Sequence, residues 1–213
     1  MMNILFQGDS ITDCQRDRTT VQSSLGTGYP RLVASALGFE NGNIYDFMNR
    51  GISGNRIVDV YARIKADIIN LKPDVMSILI GVNDVWHEID SKNGVDTKKF
   101  FKIYCMLIEE IKEALPDIKI MILEPFVLEG SATCNREDAP DRLNLFKTEV
   151  AEKAQMAKKV AEKYNLTFIP LQDKFNEAEK RAPQPHWLVD GVHPSPYGHE
   201  LIKHEWIKAF NTL

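Results

Sequence analysis

Four short polar segments carry the side chains with which this sequence could do chemistry. Residues 8–13 (GDSITD), 50–55 (RGISGN) and 81–86 (GVNDVW) each follow a short apolar run, and residues 190–194 (DGVHP) precede the last amphipathic stretch. Between them they supply a serine hydroxyl, an asparagine amide, a carboxylate and an imidazole. Gathered around one rim, these groups are the parts of a site for acyl transfer.

Acyl transfer by a serine hydroxyl places demands on the groups around it. The hydroxyl is a weak nucleophile until an imidazole takes its proton, and the imidazole needs a carboxylate to fix its tautomer. The oxyanion formed during the reaction needs two or three preorganised hydrogen-bond donors, which backbone N–H groups and an asparagine amide can provide. The four segments contain every one of these groups.

Five histidines compete for the role of the base. His193 is selected because Asp190 lies three residues before it and because it stands at the entry to a predicted helix. The other four are placed outside the site, His87 and His186 in loops and His199 and His204 on the surface of the last helix.

The four segments resemble, in order and spacing, the sequence blocks of the SGNH hydrolases, also called the GDSL esterase/lipase family. Ser10 falls at the nucleophile of the first block, and Gly54 and Asn83 fall at the glycine and asparagine of the next two. Asp190 and His193 match the D-x-x-H of the last block. The resemblance implies that Ser10 is the nucleophile, His193 the base and Asp190 the residue that orients the base. It further implies an oxyanion hole made by the N–H groups of Ser10 and Gly54 and the amide of Asn83.

The first block continues with Ile11-Thr12 instead of Leu-Ser, a variation found in the carbohydrate-active branch of the family. The strings at residues 8–14, 51–55 and 81–86 are similar to bacterial acetylxylan esterases of that branch, and the resemblance extends from about residue 3 to 210. It implies a metal-independent esterase that removes short acyl groups, acetyl foremost, from carbohydrates such as xylo-oligosaccharides. The sequence contains no G-x-S-x-G, the nucleophile-elbow signature of the α/β-hydrolases.

The elements that must position these residues follow from the alternation of apolar runs and amphipathic stretches. Strands are predicted over residues 3–7, 44–48, 75–80, 118–123 and 166–169, and helices over 29–37, 57–71, 98–115, 141–164, 172–181 and 194–210. Short strands that are apolar on both faces favour a buried parallel sheet. We therefore predict an α/β fold, a flavodoxin-like three-layer α/β/α sandwich with a five-stranded parallel sheet. Ligands bind beyond the carboxyl ends of such strands, where the first three segments fall.

Two tryptophans, Trp86 and Trp187, lie in or beside the third and last segments. Either could be a core residue, but at the rim of the site they would offer flat faces for sugar rings, so both are predicted to bind substrate. Insertions that could form a lid are limited to residues 90–97 and 130–140, and the second is strongly charged. A small polar substrate is therefore favoured over a lipid.

Three polar or reactive side chains near the segments are interpreted as structural. Asp9 is expected to form hydrogen bonds beside Ser10, and Asp84 to act as a turn or cap residue. Cys14 follows the nucleophile by four residues, yet no histidine is near it in the sequence, so it is expected to be a packed thiol.

The bulk composition limits the remaining possibilities. A chain of 213 residues with 44% hydrophobic content and no linker predicts one domain over residues 1–213. A net charge of -4 and no basic stripe argue against a nucleic-acid partner, and no apolar stretch is long enough to span a membrane. The N-terminus has no signal-peptide pattern and the three cysteines are widely spaced, which predicts a cytoplasmic protein. The sequence leaves open whether the protein forms a homo-oligomer.

Several alternatives stay open at this point. A metal site built from His186, Asp190 and His193 would leave Ser10 and Asn83 unexplained, so no metal or other cofactor is expected. The substrate could instead carry a single acyl chain, as for an esterase, thioesterase or lysophospholipase. A member of another class, a catalytically silent carbohydrate-binding protein, could also retain this fold.

Overall fold

A parallel sheet forms the centre of the computed structural model, which describes residues 1–18 and 24–213. Its strands are β1 (Met2–Gly8), β2 (Tyr45–Asn49), β3 (Val75–Leu79), β4 (Lys119–Leu123) and β5 (Thr167–Ile169). Neighbouring strands pair in the order β2-β1-β3-β4-β5, and every pairing is parallel. This is the strand order of flavodoxin-like proteins, so the predicted fold is confirmed.

Helices connect the strands and cover both faces of the sheet. They are α1 (Ser10–Asp13), α2 (Tyr29–Asn41), α3 (Ile57–Ala62), α4 (Ile64–Asp67), α5 (Val82–Ser91), α6 (Thr97–Ala114), α7 (Arg142–Tyr164), α8 (Gln172–Ala178), α9 (Gln184–Trp187) and α10 (Pro196–Phe210). A short 3₁₀ helix, Ile69–Leu71, precedes β3. Within the described residues, none of these helices is both long and apolar enough to cross a membrane.

The pleat of the strands divides the core into two apolar clusters, one on each face of the sheet. In β1, Ile4 and Phe6 join one cluster while Leu5 joins the other, and β3 and β4 alternate in the same way. Helices α2, α5, α8 and α10 pack on the first face, α3, α4 and α6 on the second, and α7 contributes to both. With apolar layers on both faces, functional side chains are left to the strand ends and the loops that follow them.

Three helices differ in extent from their predictions. The helix predicted over residues 57–71 is interrupted at Arg63 and Ile68, where the backbone leaves helical geometry. Its apolar spacing continues through both breaks, so the spacing alone could not reveal them. Helix α2 continues through Gly38 and ends at Asn41, where it is capped by Gly42 with a φ of 69°, and α8 ends at Ala178 rather than at residue 181.

Helix α5 differs most from the prediction, which contains no helix between residues 80 and 98 and places His87 in a loop. Its apolar residues do have helical spacing, at Val82, Val85, Trp86 and Ile89. The turn-forming pair Asn83-Asp84 obscured this pattern, because both residues also favour turns. The helix begins immediately after β3 and carries its first turn to the carboxyl edge of the sheet.

Candidate active site

Ser10 is held at the carboxyl end of β1 by a tight strand-to-helix turn. A Cβ atom at Gly8 would lie 2.4 Å from both the carbonyl oxygen of Leu79 and Oγ1 of Thr12, so only glycine lets the strand end this close to its neighbour. Asp9 then caps α1, because its Oδ1 accepts a hydrogen bond of 3.0 Å from the N–H of Ile11. Ser10 is the first residue of that helix.

A line of two hydrogen bonds joins Ser10, His193 and Asp190. Ser10 Oγ lies 2.9 Å from Nε2 of His193, and Nδ1 of His193 lies 2.7 Å from Oδ2 of Asp190. An ionised carboxylate can only accept hydrogen bonds, so Nδ1 carries the ring proton. The lone pair of Nε2 therefore faces the serine hydroxyl, which is the tautomer that a general base requires.

Asp190 and His193 lie in a turn whose backbone N–H groups donate hydrogen bonds to the Asp190 carboxylate. Oδ1 of Asp190 accepts hydrogen bonds from the N–H groups of Val192 at 2.9 Å and His193 at 2.8 Å. Gly191 completes the turn with a φ of 98°, and a Cβ atom there would come within 2.6 Å of Oγ1 of Thr133. The positive φ and this close approach together call for glycine.

The start of the segment 130–140 braces this turn. The N–H of Ala132 donates a hydrogen bond of 2.9 Å to the carbonyl oxygen of Asp190. Gly130 packs so closely that a Cβ atom on it would lie 2.3 Å from the carbonyl carbon of Asp190. The lining of the cavity beside Ser10 includes no residue of this segment in the part of the chain that the structure describes. Residues 130–132 therefore support the turn that carries Asp190 and His193 without lining the cavity.

The electrostatics of the pair favour a charged carboxylate and a basic imidazole. Burial alone would raise the pKa of Asp190, but the hydrogen bonds from the side chain and N–H of His193 and from Val192 outweigh it and lower the pKa to about 2. The hydrogen bond to Asp190 raises the pKa of His193 above its ordinary value of 6.5, against the opposing effect of burial. Asp190 is thus ionised throughout the neutral range.

The loop after β2 places Gly54 beside Ser10. The N–H of Ile52 donates to the carbonyl oxygen of Gly8 at 3.0 Å, and the N–H of Ser53 donates to Oδ2 of Asp13 at 3.0 Å. Gly54 has a φ of 82° and contributes to the same cavity as Ser10. Within residues 1–18 and 24–213, the N–H groups of Ser10 and Gly54 have no hydrogen-bond partner. Both are available to an oxyanion.

Asn83 brings a side-chain amide to the same place from the first turn of α5. Its Nδ2 donates a hydrogen bond of 3.2 Å to the carbonyl oxygen of Asn55, which leaves the second N–H of the amide available. The neighbouring Asp84 is buried and accepts from the N–H of Ile57 at 3.1 and 3.2 Å. Burial raises the pKa of Asp84 well above its ordinary value. Asp84 joins the starts of α3 and α5, in agreement with its structural interpretation.

The residues described above surround an open cavity of about 390 Å³. Its lining residues are Ser10, Gly54, Asn83, Trp86, His87, Asp90, Ser91 and His193. The ring of Trp86 lies 5.9 Å from that of His193, centroid to centroid, so the indole stands beside the base. The structure therefore brings together six of the seven residues selected from the sequence, with Asp190 behind His193.

The seventh residue, Trp187, does not reach this cavity. It is only 8% exposed, its Nε1 donates to the carbonyl oxygen of Ala182 at 3.1 Å, and Arg181 stacks over its ring at 4.9 Å. What remains exposed lines a separate cavity of about 460 Å³, together with His186 and Tyr197. The prediction that Trp187 binds substrate is corrected accordingly, because the indole belongs to the core.

The remaining histidines are distributed as follows. His87 lies on α5 and lines the cavity, rather than lying on a loop. His199 is buried, contrary to its expected place on the surface, whereas His204 is exposed as predicted. His186 stacks on Tyr197 at 4.1 Å. No cluster of three or more His, Cys, Asp or Glu side chains is arranged to hold a metal ion in the described ranges 1–18 and 24–213.

His199 contacts Cys14, which the sequence did not reveal. The Sγ atom lies 3.4 Å from Nε2 of His199, while Nδ1 of the same ring accepts a hydrogen bond of 3.1 Å from the N–H of Tyr29. A backbone N–H can only donate, so Nδ1 is unprotonated and Nε2 carries the proton. Burial lowers the pKa of His199 to about 4, which keeps the ring neutral. His199 therefore cannot take a proton from Cys14 through Nε2, and its Nε2–H instead donates a hydrogen bond to Sγ.

Asp90 and Arg142 are not among the residues that were predicted from the sequence. Asp90 lines the cavity one helical turn after Trp86, and its carboxylate forms an ion pair with Arg142 from the start of α7. Recognising α5 as a helix would have placed Asp90 on the same face as Trp86, since residues four apart are neighbours. Nothing in the local sequence points to Arg142, which lies 52 residues away.

The chain is similar in sequence and in structure to several known proteins. Residues 6–201 match the GDSL-like lipase/acylhydrolase family. An acetylxylan esterase of Geobacillus stearothermophilus is 34% identical over 211 residues, covering 96% of this chain and 92% of that protein. A crystal structure of that esterase has a TM-score of 0.83 at 32% identity, covering 98% of this chain and 93% of the other. A GDSL-like lipase from Parabacteroides merdae has a TM-score of 0.90 at 36% identity, with 99% and 95% covered.

The chain belongs to the GDSL-like lipase/acylhydrolase family, which confirms the resemblance found in the four polar segments. It is a carboxylic ester hydrolase, as the match to this family and to an acetylxylan esterase shows.

Proposed function

We propose that this protein is a serine esterase that removes short acyl groups, above all acetyl, from carbohydrates such as xylo-oligosaccharides. The observation that carries the proposal is the hydrogen-bonded line from Ser10 through His193 to Asp190, which opens into a cavity with an indole beside the base. The similarity to an acetylxylan esterase over 96% of the chain supports the same substrate class.

In the proposed reaction, Ser10 Oγ attacks the carbonyl carbon of the ester while its proton passes to Nε2 of His193. The N–H groups of Ser10 and Gly54 and the free N–H of the Asn83 amide hold the oxyanion of the tetrahedral intermediate. The intermediate collapses when His193 gives the proton to the leaving alcohol, and an acyl-enzyme remains. Water then attacks the acyl carbon by the same route and releases the acid.

The dimensions and polarity of the cavity support a small, polar substrate. Its walls carry an indole, an imidazole and a carboxylate next to Ser10, and Asp90 is ionised because its hydrogen bond with Arg142 lowers its pKa. A carboxylate in the wall of the cavity is an unfavourable neighbour for an alkyl chain but a good acceptor for hydroxyl groups. An aromatic face beside it offers the apolar surface that a sugar ring can cover.

The location is proposed to be cytoplasmic, where the substrate would be an oligosaccharide rather than polymeric xylan. All three cysteines, Cys14, Cys105 and Cys134, are free thiols, which suits a reducing compartment.

The substrate class predicts a particular order of activities on a panel of esters. We expect kcat/KM to fall roughly tenfold or more from 4-nitrophenyl acetate to the octanoate, because the longer chain must pass the polar wall of the cavity. Acetylated xylo-oligosaccharides should release acetate, measured by an enzyme-coupled assay alongside the chromogenic esters. A preference for octanoate, or for an acyl thioester, would replace the carbohydrate substrate with a single acyl chain. If the protein turned over none of these esters, it would instead be a catalytically silent carbohydrate-binding protein.

The protonation of His193 predicts how activity depends on pH. His193 must be neutral to accept the proton of Ser10, so activity is present above its pKa and is lost below it. Because the hydrogen bond to Asp190 raises this pKa, we expect kcat/KM on 4-nitrophenyl acetate to rise with pH through an apparent pKa above 6.5. Asp190 itself does not contribute to the rise, since its pKa is about 2.

A matched variant separates His193 from a second group that titrates in the same range. Burial raises the pKa of Asp9 to about 7, and the charge of ionised Asp9 raises the pKa of His193. In Asp9→Asn the rise should therefore persist and move to slightly lower pH. A pH profile that becomes flat in this variant would assign the titration to Asp9 instead of His193.

A further inference from the structure

Trp86 is fixed in its orientation by two groups behind it. Its Nε1 donates a hydrogen bond of 2.8 Å to Oδ2 of Asp90, one turn further along α5. Its ring forms a T-shaped contact with that of Phe146 of α7, with centroids 5.7 Å apart and an interplanar angle of 84°. The indole thus holds a defined angle at the wall of the cavity.

Asp90 is fixed in turn by Arg142. Both terminal nitrogens of the guanidinium contact the carboxylate, with Nη2 at 3.3 Å from Oδ2. The Nε of Arg142 donates to the carbonyl oxygen of Ala132 at 2.8 Å, and the guanidinium lies 5.0 Å above the ring of Phe146. Arg142 therefore links α5, α7 and the segment that braces Asp190.

The two partners of this ion pair differ sharply in their burial. The side chain of Arg142 is 2% exposed, whereas that of Asp90 is 45% exposed and lines the cavity beside Ser10. A carboxylate has about four acceptor positions, and the contacts with Trp86 and Arg142 use three of them. Asp90 can therefore accept another hydrogen bond on its exposed side, while Arg142 holds it from the buried side.

We propose that Trp86 and Asp90 form the subsite for the alcohol part of the substrate, in which a sugar ring covers the indole and a neighbouring hydroxyl donates to Asp90. This inference rests on the proposed function and assigns the preference for carbohydrate to two named side chains. The charge of Asp90 also disfavours an anionic leaving group in the same subsite, because two negative charges would then share a partly desolvated cavity. Arg142 is a positioning residue: it holds Asp90 in place, and Asp90 in turn holds the indole.

The test is Asp90→Asn, assayed on three esters that differ in the alcohol. They are an acetylated methyl xyloside, 4-nitrophenyl acetate and the anionic 4-acetoxybenzoate. Relative to 4-nitrophenyl acetate, we expect kcat/KM for the xyloside to fall about tenfold or more, chiefly through KM, because a hydrogen bond to a charged group is lost. Relative to the same reference, kcat/KM for 4-acetoxybenzoate should rise severalfold, and added salt should diminish this difference between the variant and the unmodified protein.

The opposite signs of the two changes distinguish substrate recognition from a structural role. If Asp90 only anchors Trp86 and Arg142, the variant loses activity on all three esters in equal proportion, and the inference is wrong. It is equally wrong if neither ratio changes. Glu88→Gln is the matched control, since it removes one negative charge from an exposed position of α5 outside the cavity lining and should leave both ratios as they are.

Failure of the proposed function would be visible separately, in the unmodified protein. In that case the unmodified protein would hydrolyse 4-nitrophenyl acetate but release no acetate from the acetylated xyloside. The proposed function and the sugar subsite would then both be overturned. Turnover of the xyloside by the unmodified protein, with unchanged ratios in Asp90→Asn, would retain the function and reject the subsite.

Discussion

Ser10→Ala should reduce kcat/KM on 4-nitrophenyl acetate by about 10⁴-fold or more. The substitution removes Oγ of Ser10. Among the described contacts of Nε2 of His193, this hydroxyl is the only hydrogen-bond donor. The oxyanion donors would remain, so a small rate above that of water should persist, as in other enzymes that lose one member of such a triad. The large effect follows from losing the covalent route altogether.

The fold should tolerate this change, because the described side-chain hydrogen bonds of Ser10 consist of the one to His193. Thermal unfolding should therefore shift by only a few degrees, roughly what 1 kcal/mol produces in a domain of this size. A fluorophosphonate probe should label the unmodified protein and Ser131→Ala, an exposed serine of the bracing segment, but not Ser10→Ala. If Ser10→Ala retained a tenth of the activity, the covalent mechanism would be wrong.

The convergence of three candidate residues could be predicted because the carboxyl ends of parallel strands share one edge of the sheet. Ser10, Gly54 and Asn83 follow β1, β2 and β3, which are neighbours in the order β2-β1-β3. Once the topology is fixed, these three residues must meet, whatever the details of packing. Asp190 and His193 follow no strand, and the turn between α9 and α10 was found from its D-x-x-H pattern and from the family resemblance instead.

The burial of His199 and Trp187 could not be predicted, because both depend on partners distant in sequence. His199 accepts the N–H of Tyr29, 170 residues away, and this bond satisfies a helix N-terminus that would otherwise be unpaired. Trp187 is covered by Arg181 and packs into a core that five strands and several helices share. Local periodicity reports which face of a helix is apolar but not which polar residue is needed to complete a buried contact.

The residues in the wall of the cavity were also difficult to predict from the local sequence. Trp86 was predicted to bind substrate because an indole at the rim offers a flat face for a sugar ring, yet its orientation depends on Asp90, Arg142 and Phe146. The nucleophile and base are constrained by chemistry that few residue types can perform. Side chains that line the wall of a cavity are constrained only by shape and charge, which many combinations satisfy, so no pattern in the sequence marks them.

Asn83→Ala should lower kcat by roughly 10² to 10³, about 3 to 4 kcal/mol in the activation free energy, with little change in KM. The carbonyl oxygen of a bound ester carries little charge, so an amide aimed at the oxyanion contributes mainly in the transition state. Asn83→Asp should be at least as damaging, because it replaces a donor with a negative charge facing a developing negative charge. Both kcat and KM must be measured on 4-nitrophenyl acetate, because the oxyanion role predicts that kcat falls while KM changes little.

A structural role for Asn83 would give a different pattern, because its Nδ2 also donates to the carbonyl oxygen of Asn55 at 3.2 Å. Losing that bond alone should cost about 1 kcal/mol of unfolding free energy and lower the melting temperature in both variants. It would also loosen the loop that carries Gly54, raising KM as well as lowering kcat. Melting temperatures measured beside the kinetics separate the two roles, since the oxyanion role predicts a loss of kcat far larger than the loss of stability can explain. A stable Asn83→Asp protein with near-normal kcat would remove Asn83 from the oxyanion hole and leave the N–H groups of Ser10 and Gly54 as its donors.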